Sequence, residues 1–263
     1  MAGNQTAVAL EDVALRYGAF TAIEGISLDV PGGQFVSLVG PTGCGKSSVL
    51  NLVAGLIAPS DGGVTTNGMP VTGVNRQCAY MFQSDALLPW KSALANIALG
   101  PVLRGTSRRE ARSLAQEWLT RVGLRGFEDR FPHQLSGGQR KRVAMAQALI
   151  NRLPILLMDE PFSALDAQTR ALMEQELLSL WQEQRATVLF VTHDLEEAIA
   201  LSDRVVLFTA GPNAALKGDY AVDLARPRNV VEARFTPGFN DIYERVWSDL
   251  RSEVMASYDR QRS

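Results

Sequence analysis

The amino-acid sequence predicts an α/β domain with a helical region inserted into its middle. Three observations along the chain predict this fold. Short β-rich segments come first, the stretch from about 84 to 152 then carries helical patterns without a convincing strand, and strands alternate with helices after Pro154. We therefore interpret 1–263 as a single domain, in which 84–152 is a helical subdomain and 211–263 is a C-terminal extension that ends in a helix.

Composition and charge exclude several classes of protein. The hydrophobic fraction of 46% and the charged fraction of 21% are ordinary for a globular chain. The net charge of −2 argues against a nucleic-acid partner held by bulk electrostatics. Cys44 and Cys78 lack a metal-binding spacing, so we expect reduced thiols in a cytosolic protein. Neither a signal peptide nor an apolar run long enough to span a membrane is evident.

The N-terminal region contains three predicted strands, at 8–17, 26–30 and 34–40, and one predicted helix at 46–57. The third strand is apolar throughout, which is typical of a strand that is buried on both faces. A glycine-rich turn joins this strand to the helix. The segment therefore forms a strand–loop–helix unit.

The turn in this unit, GPTGCGKS at 40–47, matches the phosphate-binding pattern G-x-x-x-x-G-K-[ST] in the expected context. Its glycines let backbone N–H groups turn towards phosphate oxygens at a helix N-terminus. Lys46 is expected to reach the β- and γ-phosphates of a nucleotide, and the Ser47 hydroxyl to complete the shell of Mg²⁺. The residues predicted to contact the nucleotide here are Gly40, Pro41, Thr42, Gly43, Cys44, Gly45, Lys46, Ser47 and Ser48.

The helical region contains predicted helices at 92–100 and 107–124, followed by the segment LSGGQRKRVAMAQAL at 135–149. That segment opens with two adjacent glycines and then becomes helical. Glycine is costly to order, and an ordinary cap would be enough to start a helix. We therefore expect another group to approach this helix start so closely that no side chain can intervene.

The second half of the domain alternates between strands at 155–159, 187–193 and 204–208 and helices at 168–184 and 195–202. Asp159 lies at the carboxyl end of the first of these strands, where ligands of open α/β sheets bind, and is expected to hold a Mg²⁺-bound water. Glu160 points to the other side of the strand end and is placed to accept a proton from an attacking water. An Asp–Glu pair at the end of a buried strand is weak evidence for a nucleotide site by itself. Together with a phosphate-binding loop it is strong evidence.

LSGGQ, together with the phosphate loop and LLMDEP, resembles the ATP-binding subunits of ABC transporters over residues 10 to about 210. The resemblance implies a P-loop ATPase core with an N-terminal antiparallel β subdomain and an inserted α-helical subdomain. It also implies a head-to-tail homodimer, in which the signature segment binds ATP held by the other subunit. The signature residues implied to touch that ATP are Ser136, Gly137, Gly138 and Gln139.

The resemblance assigns roles to four further residues. Tyr17 matches an aromatic that stacks on adenine, and Gln83 matches a glutamine that touches Mg²⁺ and the attacking water. Asp166 matches a loop that crosses the dimer interface, and His193 matches a switch histidine that contacts the γ-phosphate. Tyr17 alone would more often be a core aromatic and His193 alone a structural residue. The predicted catalytic residues are Glu160, His193, Lys46 and Gln83, and the predicted metal ligands are Ser47, Gln83 and Asp159.

The segments QSDALLPWKSALANIALG and DEPFSALDAQTR resemble the importers of nitrate, sulfonates and taurine. This implies permease partners, an indirect solute-binding protein and a peripheral position on the cytoplasmic face of the plasma membrane. The alternatives are an exporter or lipoprotein-release ATPase, and an ABC ATPase that acts on DNA or ribosomes. The last class typically has coiled coils, zinc cysteines or paired cassettes, and the sequence has one cassette and two unpaired cysteines.

Three features of the chain bear on its contacts with partners. The helical subdomain, with Gln83 at its entrance, is predicted to form a groove for a short permease helix. Asp85 is expected to lie at this groove. An aromatic such as Trp90 is more often a core residue than a residue that contacts the permease. Gln147 stands where the family commonly has arginine, so one ion pair of the signature helix is expected to be absent. The apolar face of a predicted helix at 235–254 is expected to pack on the core, the alternative being a partner surface.

Overall fold

The computed structural model describes residues 5–262, with side chains up to Tyr258. An antiparallel sheet in the N-terminal region has the strand order β2-β1-β4-β5. Its strands are β1 (Thr6–Tyr17), β2 (Phe20–Pro31), β4 (Asp61–Thr66) and β5 (Met69–Pro70). The sheet confirms the antiparallel β region implied by the family resemblance, although the hairpin of β4 and β5 was not predicted.

A second sheet runs through the centre of the fold with the order β10-β9-β3-β8-β7-β6. All of its neighbours are parallel except β10, which pairs antiparallel with β9. Its strands are β3 (Phe35–Val39), β6 (Cys78–Met81), β7 (Ile155–Asp159), β8 (Thr187–Val191), β9 (Arg204–Phe208) and β10 (Leu216–Ala221). Parallel pairing places the carboxyl ends of β3, β7 and β8 at one edge, which gathers the predicted site residues there.

The residues between 84 and 152 form helices and turns without a strand, as predicted. The helices are α2 (Ala93–Leu103), α3 (Arg108–Arg121) and α4 (Gly137–Leu149). Each has a serine N-cap, Ser92, Ser107 or Ser136, whose side chain accepts a hydrogen bond from the backbone N–H three residues later. These caps explain why each helix starts where it does.

The remaining helices cover the two faces of the central sheet. They are α1 (Lys46–Val53), α5 (Ala167–Gln184), α6 (Leu195–Leu201), α7 (Val230–Ala233) and α8 (Pro237–Arg262). One apolar cluster joins the sheet to α2–α6 and α8, and a second joins it to α1 and the N-terminal sheet. The predicted helix at 46–57 ends earlier, at Val53, because Gly55 has a positive φ of 67°.

Helix α8 packs on the core, as expected from its apolar face. Phe239, Ile242, Val246 and Leu250 are buried in the first cluster. Trp247 differs, because it is exposed and stacks on Tyr243 with 6.3 Å between ring centroids. The expectation that Trp90 lies in the core was also wrong, since 71% of its surface is exposed. None of the helices in the described part of the chain has the length and apolar character needed to cross a membrane.

Candidate nucleotide-binding site

The loop between β3 and α1 depends on glycine at specific positions. Gly45, the N-cap of α1, has a φ of 92°, and Gly43 has a φ of 79°. A Cβ at Gly45 would lie 2.8 Å from Cγ1 of Ile23. Backbone conformation and lack of space therefore both require glycine at position 45. The resulting turn places the N-terminus of α1 at the loop, as the predicted phosphate binding requires.

Lys46 is buried, and its ammonium group points into its own loop. Nζ donates to the carbonyl oxygens of Gly40 at 2.8 Å and Pro41 at 2.9 Å, and lies 3.6 Å from Sγ of Cys44. Burial raises the pKa of the Cys44 thiol, which therefore remains protonated near neutrality. The loop thus holds a buried cation where phosphate oxygens are expected to bind.

Ser47 and Asp159 bring two oxygen ligands together beside this loop. The Ser47 hydroxyl donates to Oδ1 of Asp159 at 2.9 Å, and burial raises the pKa of the Asp159 carboxyl. Mg²⁺ prefers oxygen ligands and usually takes one or two from the protein, with waters and substrate phosphates completing its shell. In the described residues no three His, Cys, Asp or Glu side chains cluster as a metal site. The pair therefore fits a metal that binds together with a nucleotide.

Glu160 is the point at which two other predicted catalytic residues meet. Its Oε2 accepts a hydrogen bond from Nε2 of Gln83 at 3.1 Å and lies 3.5 Å from Nδ1 of His193. Its backbone has a φ of 43°, a left-handed conformation that costs energy in a residue other than glycine. The end of β7 thus places this carboxylate, on a strained backbone, next to Asp159, where the general base is predicted.

The signature segment forms a capping box at the start of α4. Oγ of Ser136 accepts from the backbone N–H of Gln139 at 3.3 Å, and Oε1 of Gln139 accepts from the N–H of Ser136 at 2.9 Å. A Cβ at Gly137 would meet nothing nearer than Nη2 of Arg140 at 3.9 Å, whereas one at Gly138 would lie 3.1 Å from Cγ2 of Thr169. Packing within the chain therefore explains why residue 138 is glycine. It does not explain why residue 137 is glycine.

Tyr17 and Asp166 both lie on the surface. Tyr17 is the last residue of β1, and its ring is exposed. Asp166 caps α5 by accepting from the N–H of Thr169 at 3.0 Å, and backbone hydrogen bonds of this kind lower the pKa of its carboxyl. The structure therefore places them where a ligand or a second chain can reach them. Their predicted roles remain predictions.

The family of this chain follows from its similarity to known protein families. The profile of the family described as ABC transporter matches residues 23–163. The chain belongs to the ABC transporter family. It is an ATP-hydrolysing cassette, so the predicted family, fold and enzyme class are confirmed.

Relatives of this ABC ATPase include proteins with and without an assigned solute. It is 42% identical to an uncharacterized ABC transporter ATP-binding protein of Methanocaldococcus jannaschii, over 90% of this chain and 86% of that protein. It is also 42% identical to a nitrate import ATP-binding protein of Synechococcus elongatus, over 93% of this chain but 36% of that protein. A dimeric ATP-binding cassette in a post-hydrolysis state with ADP and Pi is 31% identical, with a TM-score of 0.73 over 83% of this chain and 100% of that chain.

Lys141 of the signature helix is a contact of this ABC ATPase that sequence reasoning missed. Its Nζ donates to the backbone carbonyl of Gln83 at 2.7 Å and lies 3.0 Å from Oδ1 of Asp85. Nε of Arg140 donates to the same carboxylate at 2.9 Å. The Lys141 side chain is only 5% exposed, so the segment after β6 is tied to α4 by a buried cation. Asp85 is an internal ion-pair partner that also lines the groove described next. Its contact with a permease remains a prediction.

A groove of about 740 Å³ opens beside this ion pair. Its walls come from three elements. Phe82, which follows β6, lines one wall, Leu99 and Leu103 of α2 line a second, and Gln147 of α4 lines a third. Gln147 makes a neutral, polar contribution to this wall. The helical subdomain of the ABC ATPase therefore does contribute to a groove, with apolar and polar lining groups.

Proposed function

We propose that this ABC ATPase energises the uptake of a small anion, such as a sulfonate, taurine or nitrate, through partner permease subunits. The observation that carries the ATPase mechanism is the convergence of Gln83 and His193 on Glu160, beside the Ser47–Asp159 pair. Import is supported by the 42% identity to a nitrate import protein and the 40% identity to a bicarbonate transport protein of Synechococcus elongatus. Each of these relatives is named for a small anion.

The proposed hydrolysis follows from the positions of the charged groups. Backbone N–H groups of the loop and Lys46 bind the phosphates. Mg²⁺, when bound by Ser47, Gln83 and Asp159, would neutralise part of the phosphate charge. Glu160 accepts the proton of the attacking water, while Gln83 orients that water and His193 donates a hydrogen bond to the γ-phosphate.

The remaining site residues are proposed to complete the nucleotide site from two chains. Tyr17 stacks on the adenine of the nucleotide in its own subunit. The signature residues Ser136, Gly137, Gly138 and Gln139, together with Asp166, face the nucleotide of the partner. Ser136 and Gly137 are exposed, and Gly138 and Gln139 are half-buried. The dimeric relative of TM-score 0.73 supports this arrangement.

The homodimer gives the first testable prediction. With ATP and Mg²⁺, Glu160→Gln is expected to have the mass of two chains by light scattering, and of one chain without nucleotide. Adding Gly137→Leu is expected to abolish the dimer, because the new side chain has space within its own fold and would project onto the partner's nucleotide. Glu160→Gln that stays monomeric at high protein concentration would contradict the proposal. So would full dimer formation with Gly137→Leu.

The groove gives the second prediction. Asp85 is unsuitable for testing it, because reversal of its charge would break its pairs with Arg140 and Lys141. Leu103 is 77% exposed at the groove, so Leu103→Asp is expected to leave the fold intact and to prevent an apolar permease helix from docking. In vesicles with the permease, we expect labelled solute uptake to fall at least about tenfold, a loss of about 1.4 kcal/mol in binding.

The control for this variant is Met255→Asp, on a similarly exposed residue of α8 away from the groove. It is expected to retain uptake, and both variants are expected to retain ATP hydrolysis without the permease. Uptake unaffected by Leu103→Asp would remove the permease contact from this groove. Extrusion of the labelled solute, instead of its accumulation, would contradict import itself. We propose that the subunit lies peripherally on the cytoplasmic face of the membrane.

A further inference from the structure

His193 occupies a short segment between β8 and α6 whose two neighbours are held firmly. Its own ring is 56% exposed, so packing does little to orient it. On one side, Oγ1 of Thr192 hydrogen-bonds to the carboxylate of the buried Glu197 and accepts from the N–H of Asp194 at 2.9 Å. The direction of the imidazole therefore depends on how the backbone of this segment, 192–194, is fixed.

Asp194 is held on the other side by two sets of contacts. Oδ1 caps α6 by accepting from the N–H groups of Glu196 at 2.9 Å and Glu197 at 3.2 Å. Oδ2 accepts from Nη1 of Arg170 at 3.2 Å. The cap fixes the position of Asp194 relative to α6, and the contact with the guanidinium of Arg170 fixes it relative to α5.

Arg170 also contacts the loop that leads from Glu160 to α5. Its Nη2 donates to the carbonyl oxygen of Leu165 at 3.2 Å. That loop is joined to Glu160 by Ser163, whose Oγ donates to the Glu160 carbonyl oxygen at 3.1 Å. One guanidinium therefore connects the segment that carries His193 with the loop that carries Glu160.

Burial and charge favour a fixed position for Arg170. Its side chain is 26% exposed, and the two Nη groups make its hydrogen bonds, while the buried Nε finds no acceptor among the described residues. The nearby acids Glu174 and Glu196 pair with Arg234 of the C-terminal extension, at 3.2 and 3.0 Å. The carboxylate that pairs directly with Arg170 is that of Asp194, and the charge of Arg170 also acts on Glu174 and Glu197.

We propose that Arg170 is a positioning residue for hydrolysis, which sets the spacing between His193 and Glu160 by holding the Asp194 carboxylate and the Leu165 carbonyl at once. The proposal rests on the roles proposed above for His193 and Glu160. Arg170 touches neither the nucleotide loop nor the attacking water in this role. Its effect on the rate is transmitted by the two backbone segments it joins.

Arg170→Gln is the test, because glutamine keeps a polar side chain but is too short and uncharged to span both acceptors. We expect kcat to fall by up to about 10²-fold, the loss that a misplacement of about 1 Å produces, with the KM for ATP nearly unchanged. Arg170→Lys is expected to be intermediate, since an ammonium lacks the planar fork of a guanidinium. Steady-state ATP hydrolysis and thermal unfolding are measured for each variant.

Arg226→Gln is the matched control at the opposite end of α6. Arg226 likewise donates to one carbonyl, of Leu201 at 2.8 Å, and to one carboxylate, of Asp203 at 2.7 Å. We expect this variant to lose thermal stability and retain kcat. Equal losses of kcat in both variants would reduce Arg170 to a structural residue and overturn the proposal, as would a wild-type kcat for Arg170→Gln.

Asp194→Asn tests the route through Asp194. Asparagine still caps α6 but removes the acceptor for Arg170, so the double variant with Arg170→Gln is expected to be no slower than Arg170→Gln alone. Additive losses would overturn the route. His193→Ala is measured in parallel: hydrolysis at the wild-type rate would overturn the role of His193, and with it this proposal. An inactive His193→Ala beside a fully active Arg170→Gln would overturn only the positioning role.

Discussion

Replacing Glu160 by glutamine is expected to slow ATP hydrolysis by a factor of about 10² to 10⁴ without weakening ATP binding. Glutamine keeps the size of the side chain, but it cannot take the proton of the attacking water. It also removes a negative charge that would face the γ-phosphate, so affinity should be at least as high as in the wild type. The variant should consequently accumulate as the ATP-bound dimer.

Single-turnover hydrolysis and nucleotide titration separate these two effects. Glu232→Gln makes the same chemical change at the start of α7, away from the site, and is expected to behave as the wild type. Near-normal hydrolysis by Glu160→Gln would exclude Glu160 as the general base. A large loss of ATP affinity would instead indicate that the carboxylate binds the nucleotide or its metal.

Replacing Lys46 is expected to abolish ATP binding and turnover together. The ammonium meets phosphate charge in both the ground state and the transition state, so its removal weakens both. Lys46→Ala also removes the donor to the Gly40 and Pro41 carbonyls. Lys46→Met keeps the apolar stem of the side chain and serves as the closer comparison.

Calorimetric titration with ATP and thermal unfolding measure the two Lys46 variants. We expect both to fold and neither to bind ATP at concentrations that saturate the wild type. ATP affinity within a few-fold of the wild type in the folded Lys46→Met variant would contradict the phosphate contact. If Lys46→Ala were unfolded, its loss of ATP binding would not test the phosphate contact. The Lys46→Met variant would then provide the test.

Sequence reasoning located the elements and residues whose signals are local. The apolar runs of β3, β7 and β8 are long enough to identify strands without knowledge of their neighbours. Strands β6 and β10 were missed, because four to six mixed residues form a strand here only through pairing with β7 and β9. Tertiary pairing of this kind leaves no periodic signal in so short a segment.

The same limit applies to the site. Gly45, Lys46 and Ser47 are consecutive, and a local motif predicts their shared function. The contact of Lys141 with the Gln83 carbonyl joins residues 58 positions apart, and that of Arg170 with Asp194 joins residues 24 apart. Such contacts depend on how elements pack, and a charged residue within a helix is typically solvated. Only the folded structure reveals that these two cations link separate segments.

The internal bonds of Lys46 have a consequence for the thermodynamics of nucleotide binding. Because the ammonium is already hydrogen-bonded to the carbonyls of Gly40 and Pro41, the loop has its shape before any ligand arrives. The conformational entropy of the loop is therefore lost when the chain folds and not when ATP binds. Binding exchanges two neutral acceptors for charged phosphate oxygens at a prepared cation, so the affinity reflects the difference between these two sets of bonds.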